Sequence, residues 1–131
     1  MAVICVTCSG PSGSTGQSAD RLAKASRENK NGWIYVHLEG SPSDIGYQHG
    51  YLLADDIDTS IQTVAYMLGH DTHRDWTFYR RAAKNFLWDK LDREYKDEIN
   101  GIVEGLQAKN KKYDSLDVTA RGEGGFGSTG R

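Results

Sequence analysis

The segment Trp33-Ile-Tyr-Val-His-Leu-Glu39 alternates strictly, with Ile34, Val36 and Leu38 on one side and Trp33, Tyr35 and His37 on the other. Period two with β-branched and aromatic residues predicts an extended strand. The rest of the body reads as helix. A lone strand leaves backbone donors and acceptors unpaired along both edges, so it must join a sheet made elsewhere. The expected class is therefore α+β: one N-terminal strand followed by three or four helices, the opening part of a larger layered domain.

Gly40-Ser41-Pro42-Ser43 breaks the strand, and Ser43, or Ser41 with Pro42 at the first helical position, can cap a helix beginning there. From Ile45 onward Leu53, Ile57, Ile61, Val64 and Leu68 mark one face of a helix, with Gly69 as its stop. A second helix is expected over Asp75–Leu91, with Trp76, Tyr79, Ala83, Phe86, Leu87 and Leu91 along its stripe. A third carries Tyr95, Ile99, Ile102, Val103 and Leu106, and ends near Asn110, where Lys109, Lys111 and Lys112 favour the negative dipole end. Ser115 can cap a further turn over Leu116–Ala120. Gly46 and Gly50 share one helix face, and Gly101 and Gly105 repeat the device, so both pairs invite close backbone approach.

All three Trp and all seven Tyr fall within the body, 30–120. The flanks are different. Residues 1–29 include a Ser/Gly/Thr/Pro tract, Ser9–Ser18, and are expected to be a disordered linker behind a signal remnant. Residues 121–131 hold five glycines and are expected to form a mobile tail. The apolar stretch Met1–Cys8 resembles the end of a bacterial lipoprotein signal, which would make the chain exported or lipid-anchored at Cys8; the alternative is an ordinary disordered terminus of a soluble chain.

Sixteen Lys and Arg against eighteen Asp and Glu leave a charge of −2, which argues against non-specific nucleic-acid binding. No apolar run reaches the roughly 18 residues a membrane span needs. Cys5 and Cys8 form a lone C-x-x-C without a second ligand pair, and His37, His49, His70 and His73 share no metal-ligand spacing, so no metal and no cofactor is expected. Asp55-Asp56 and Asp92-Arg93-Glu94 read as solvated helix faces, and the Trp76–Trp88 stripe with Arg80, Arg81 and Lys84 as core plus rim.

Directly after the strand, Glu39-Gly-Ser-Pro-Ser-Asp-Ile-Gly-Tyr-Gln-His-Gly50 resembles the start of the acyl-coenzyme A:isopenicillin N acyltransferase-like family of N-terminal-nucleophile hydrolases. Tyr95-Lys-Asp-Glu-Ile-Asn-Gly-Ile-Val-Glu-Gly105 and Ser115–Ala120 come after it in that family's order, so the resemblance covers about 32–120. It implies an αββα layer architecture in which 30–120 is the pre-nucleophile segment of a self-processing cysteine acyltransferase or linear amide hydrolase. In such enzymes a downstream cysteine is freed by cleavage, and its α-amino group serves as base for its own thiol. This chain has no cysteine after Cys8, so no catalytic residue is assigned. It is expected to be inactive alone, with the missing downstream catalytic half of the same domain as its partner.

A second resemblance begins where the first stops. Arg121-Gly-Glu-Gly-Gly-Phe-Gly-Ser-Thr-Gly130 is similar to the C-terminal arm of trimeric dUTPases. That likeness implies phosphate contacts from Arg121, Ser128 and Thr129 and a base-covering role for Phe126. Nothing else in the chain resembles the barrel of that family. Three function classes thus stand side by side: an inactive fragment of an N-terminal-nucleophile hydrolase, a dUTPase-like nucleotide hydrolase arm, and a small non-catalytic helical binding protein.

Overall fold

The computed structural model describes residues 15–114. Its elements run α1 (Thr15–Leu22), β1 (Ser26–Lys30), β2 (Trp33–His37), α2 (Pro42–Leu52), α3 (Ala54–Thr72), α4 (Trp76–Ala82), a π turn (Ala83–Leu87), a short 3-10 turn (Trp88–Lys90) and α5 (Arg93–Ala108). The architecture is mixed α+β and mostly helical, with one two-stranded antiparallel sheet among the described residues.

The strand expected to be alone has a partner. β1 pairs with β2 from Ser26 opposite His37 to Lys30 opposite Trp33. Asn31 (φ 52°) and Gly32 (φ 82°) make the two-residue turn between them. Two consecutive positive φ values suit a right-twisted hairpin, and Asn-Gly adopts them at little cost. Helix α1 and strand β1 also replace the disordered linker expected over 1–29, from Thr15 onward. The expectations for Met1–Cys8, for the turn over Leu116–Ala120 and for the tail 121–131 lie outside the described residues.

Helix α2 starts as its residues dictate. The Ser41 hydroxyl accepts from the Asp44 amide, the Asp44 carboxylate accepts from the Ser41 amide, and Pro42 occupies the first turn. Hydrogen bonds to Ser41, and then to Arg21, hold the Asp44 carboxyl below its ordinary range. The single helix expected from Ile45 to Gly69 is two, separated at Leu53 (φ −114°, ψ 24°). The break has a packing cause, since before Leu53 the buried residues are Gly46, Tyr47, Gln48 and Gly50, whereas after it the apolar stripe Ile57, Ile61, Val64, Leu68 turns elsewhere. Helix α3 also runs past Gly69 to Thr72, and the left-handed His73 (φ 56°) ends it by donating its amide to the Gly69 carbonyl at 3.0 Å.

Asp75 caps α4 by accepting from the Phe78 amide at 2.8 Å. The π turn after α4 widens the helix and resets its phase. Phe86 and Leu87, expected on the buried stripe, are 68 % and 60 % exposed, and Trp88 is buried at 5 %. Helix α5 closes at Asn110 (φ 61°), where the Lys111 amide returns to the Leu106 carbonyl at 2.9 Å.

The tight packing is between α2 and α5, and glycine makes it possible. A Cβ at Gly46 would lie 2.0 Å from the Glu98 carbonyl oxygen, and one at Gly50 2.1 Å from that of Ile102. On the facing helix, a Cβ at Gly101 would meet the Ser43 oxygen at 2.3 Å and one at Gly105 the Tyr47 oxygen at 2.3 Å. Each obstacle is backbone, which cannot swing aside. Both glycine pairs therefore permit the approach that their spacing suggests.

Candidate functional site

Three places on the molecule gather side chains in a way that bears on function. The first is a hub beneath the hairpin. Gln48, only 1 % exposed, sits one residue from Tyr47 on α2. Its Oε1 accepts from the Glu39 amide at 2.9 Å, and its Nε2 donates to the carbonyls of Glu39 at 2.8 Å and Arg21 at 2.6 Å. One side chain thus ties the exit of the hairpin and the end of α1 to α2, with both ends of its amide satisfied. Arg21 completes the hub. Its guanidinium donates to Asp44, Glu104 and the Ser43 carbonyl and lies 4.1 Å above the centre of the Tyr47 ring. The Tyr47 hydroxyl is buried without a hydrogen-bond partner among the described residues.

The second is a polar cluster joining α3 to the chain after α5. Lys111 Nζ lies 2.9 Å from Asp55 and 3.0 Å from Asp58, and the Tyr113 hydroxyl donates to the other oxygen of Asp58. The Tyr113 phenol, followed by Lys111, holds the Asp58 carboxyl below its ordinary range. Burial first, then the neighbouring Asp58, pushes the phenol upward. Asp55 and then Asp58 raise Lys111. A phenol held in its neutral form and a carboxylate held charged are poor candidates for moving protons near pH 7. The cluster is an anchor.

The third is an open groove of about 490 Å³ between α3, α4 and α5. Its walls are Ile57, Ile61, Val64 and Leu68 from α3, Trp76 and Tyr79 from α4, and Ile99, Ile102, Val103 and Leu106 from α5, with Arg80, Lys112, Tyr113 and Asp114 along the polar part. These are the very stripes that the 3.6-residue period marks as core, so the apolar faces converge as expected but do not close on one another. The volume falls within the range of about 300–1,000 Å³ typical of ligand pockets. Among the described residues its lining offers no nucleophile paired with a base.

The remaining expectations divide by position. Arg121, Phe126, Ser128 and Thr129, the residues implied by the dUTPase-like tail, lie outside the described residues, as do Cys5 and Cys8. His37 approaches Glu39 at 3.8 Å, His70 pairs with Asp71 at 2.9 Å and His73 caps α3, so the histidines do not converge. Among the described residues no group of three metal-ligating side chains occurs. No described helix is long and apolar enough to cross a membrane. The Gln48 hub and the Asp58 anchor escaped sequence reasoning, because their members lie up to 83 residues apart in the chain. Comparison with known proteins adds no relative: no family model, no curated protein and no solved structure matches the chain.

Proposed function

We propose that this chain is the pre-nucleophile segment of an N-terminal-nucleophile amide hydrolase or acyltransferase, inactive by itself and completed by a downstream part that supplies the nucleophile. The observation that carries the reading is the unfinished sheet. Among the described residues β2 pairs with β1 on one side only, and its Trp33 and Tyr35 are 72 % and 57 % exposed. A two-stranded hairpin is marginal on its own, and an apolar strand at an open edge is a template for further strands. The α2–α5 pair, joined through its glycine contacts, is of the kind that one helical layer of such a domain would hold. The resemblance of Glu39–Gly50 and Tyr95–Gly105 to the acyltransferase-like family supports the same reading, since those segments form the two halves of that glycine contact.

The test is complementation. The chain is assayed for release of carboxylate from a panel of acyl amides and thioesters, alone and joined to the continuation of its coding frame. No turnover alone, and turnover with a continuation carrying a cysteine that is lost on Cys→Ala substitution, is the expected result. Turnover by the chain alone, or a cysteine-bearing continuation that neither pairs with it nor acts on any acyl substrate, overturns the reading.

A further inference from the structure

Helix α1 is too short to stand by its own propensity. Its eight residues, Thr15-Gly-Gln-Ser-Ala-Asp-Arg-Leu22, include a glycine, a threonine, a serine and an aspartate, and isolated helices below about 12 residues are marginal even with better formers. Arg21 fastens it to the rest of the molecule. The Arg21 carbonyl accepts from Gln48 Nε2 at 2.6 Å, and its side chain reaches both α2 and α5.

Every nitrogen of that guanidinium meets an acceptor. Nε donates to Asp44 Oδ1 at 3.0 Å, Nη1 to Glu104 Oε2 at 2.8 Å, and Nη2 to the Ser43 carbonyl at 2.7 Å and the Ser43 hydroxyl at 3.0 Å. The Tyr47 ring lies beneath, its centre 4.1 Å from Cζ. The packing of α2 on α5 sets these acceptors in place. Ser43 and Asp44 stand in the first turn of α2, and the Ser43 carbonyl oxygen rests where a Cβ at Gly101 would come within 2.3 Å of it. Tyr47 is fixed by burial and Asp44 by its reciprocal bonds with Ser41. The cradle therefore belongs to the α2–α5 pair, and α1 supplies the cation. Two carboxylates face one guanidinium, and Glu104 stands at the exposed rim.

We infer that Ser43, Asp44, Tyr47 and Glu104 form a guanidinium-binding site, which α1 fills in cis with Arg21 and which takes an alkylguanidinium from outside once that side chain is removed. The planar fork sets the ligand class. An ammonium is a compact point charge, without the spread of donors that joins Asp44, Glu104 and Ser43 while lying over a ring. Attachment in cis gives Arg21 a high effective concentration, so an arginine on another chain gains the site as α1 loosens. The inference uses neither the sheet edge nor the acyl-transfer reading, and failed complementation leaves it standing.

The experiment uses the full chain with Arg21→Ala, which keeps the backbone carbonyl that Gln48 holds and removes the portion of the side chain that ethylguanidinium reproduces. Amide shifts are followed by NMR as ethylguanidinium is added, with ethylammonium as the probe of equal charge. Saturable shifts at Ser43, Asp44, Tyr47 and Glu104 are expected in the millimolar range, with ethylammonium at least about tenfold weaker. Adding Glu104→Gln is expected to weaken ethylguanidinium about threefold, the effect of one exposed carboxylate. Wild type, its site filled, is expected to show no saturable shift at those four residues. Should Arg21→Ala not fold, Arg21→Lys takes its place, and ethylguanidinium is expected to displace the lysine with the same pattern. Equal affinities for the two cations overturn the inference, because they reduce the site to charge attraction. So does the lack of a saturable shift in the folded variant. Shifts as large in wild type, or as large at the exposed Asp71 at the end of α3, overturn it as well.

Discussion

Helices α2 and α5 on one side, and α3 and α4 on the other, pack in opposite ways. The α2–α5 contact brings backbone against backbone, with Gly46, Gly50, Gly101 and Gly105 buried and no room for a methyl group. The α3–α4 arm meets α5 across side chains and leaves a groove of about 490 Å³. Apolar content does not decide which pair closes. Shape does, because small residues let two helices approach until nothing fits between them, whereas a row of Ile, Val and Leu holds them apart unless a further segment fills the gap.

The most damaging way to break this contrast is to add atoms to the closed side. Gly50→Val would force its side chain into the Ile102 backbone and is expected to cost more than about 3 kcal/mol or to prevent folding, as read by the urea midpoint. The same change at Gly69, where the nearest atom is 3.6 Å from the added Cβ, is expected to cost under about 1 kcal/mol. Equal losses at the two positions would erase the distinction between a closed and an open side.

A smaller effect is expected from Gln48→Leu, which keeps the volume and removes three hydrogen bonds. Stranding the Glu39 amide and carbonyl and the Arg21 carbonyl is expected to cost about 2–3 kcal/mol. Amide exchange at Glu39 should accelerate with it. A loss confined to the exposed pairs of the hairpin would not result from this substitution.

The smallest effect belongs to the anchor at the groove mouth. Tyr113→Phe is expected to cost about 1 kcal/mol at pH 7 and to change both ends of the pH profile. Because the fold lowers Asp58, its contribution is present above the unfolded carboxyl value near 4 and fades as pH falls through the lower folded value. Because the fold raises Tyr113, its contribution is present below the unfolded value near 10 and fades as pH rises above it. The variant should lose the alkaline component and weaken the acid one. A profile identical to wild type at both ends would mean that Tyr113 and Asp58 do not interact in solution.

Strand β2, a helix start at Ser41–Ser43, the glycine spacing and the stripes of α3 and α5 are all legible in the residues, because each arises from a local period or a local bond, whereas the choice of Ser41 over Ser43 and its reciprocal bond with Asp44 are seen only in the structure. Strand β1 is not. Ser26-Arg-Glu-Asn-Lys30 is polar and exposed throughout, so its only readable mark is the Asn31-Gly32 turn that folds it back onto β2. The π turn leaves no trace in periodicity and moves Phe86 and Leu87 off the face that counting assigns them. The Gln48 hub and the Asp58 anchor depend on tertiary approach alone. A pattern of apolar spacing marks which side of a helix faces inward, but not whether the inside is full.

The α2–α5 contact has a consequence for how freely this molecule tolerates change. Its specificity is written in four missing methyl groups, not in any side chain that must be kept. Exposed positions on both helices that hold neither Arg21 nor the hairpin are therefore open to recoding, for solubility, labelling or a new binding face, so long as those four blanks are left blank.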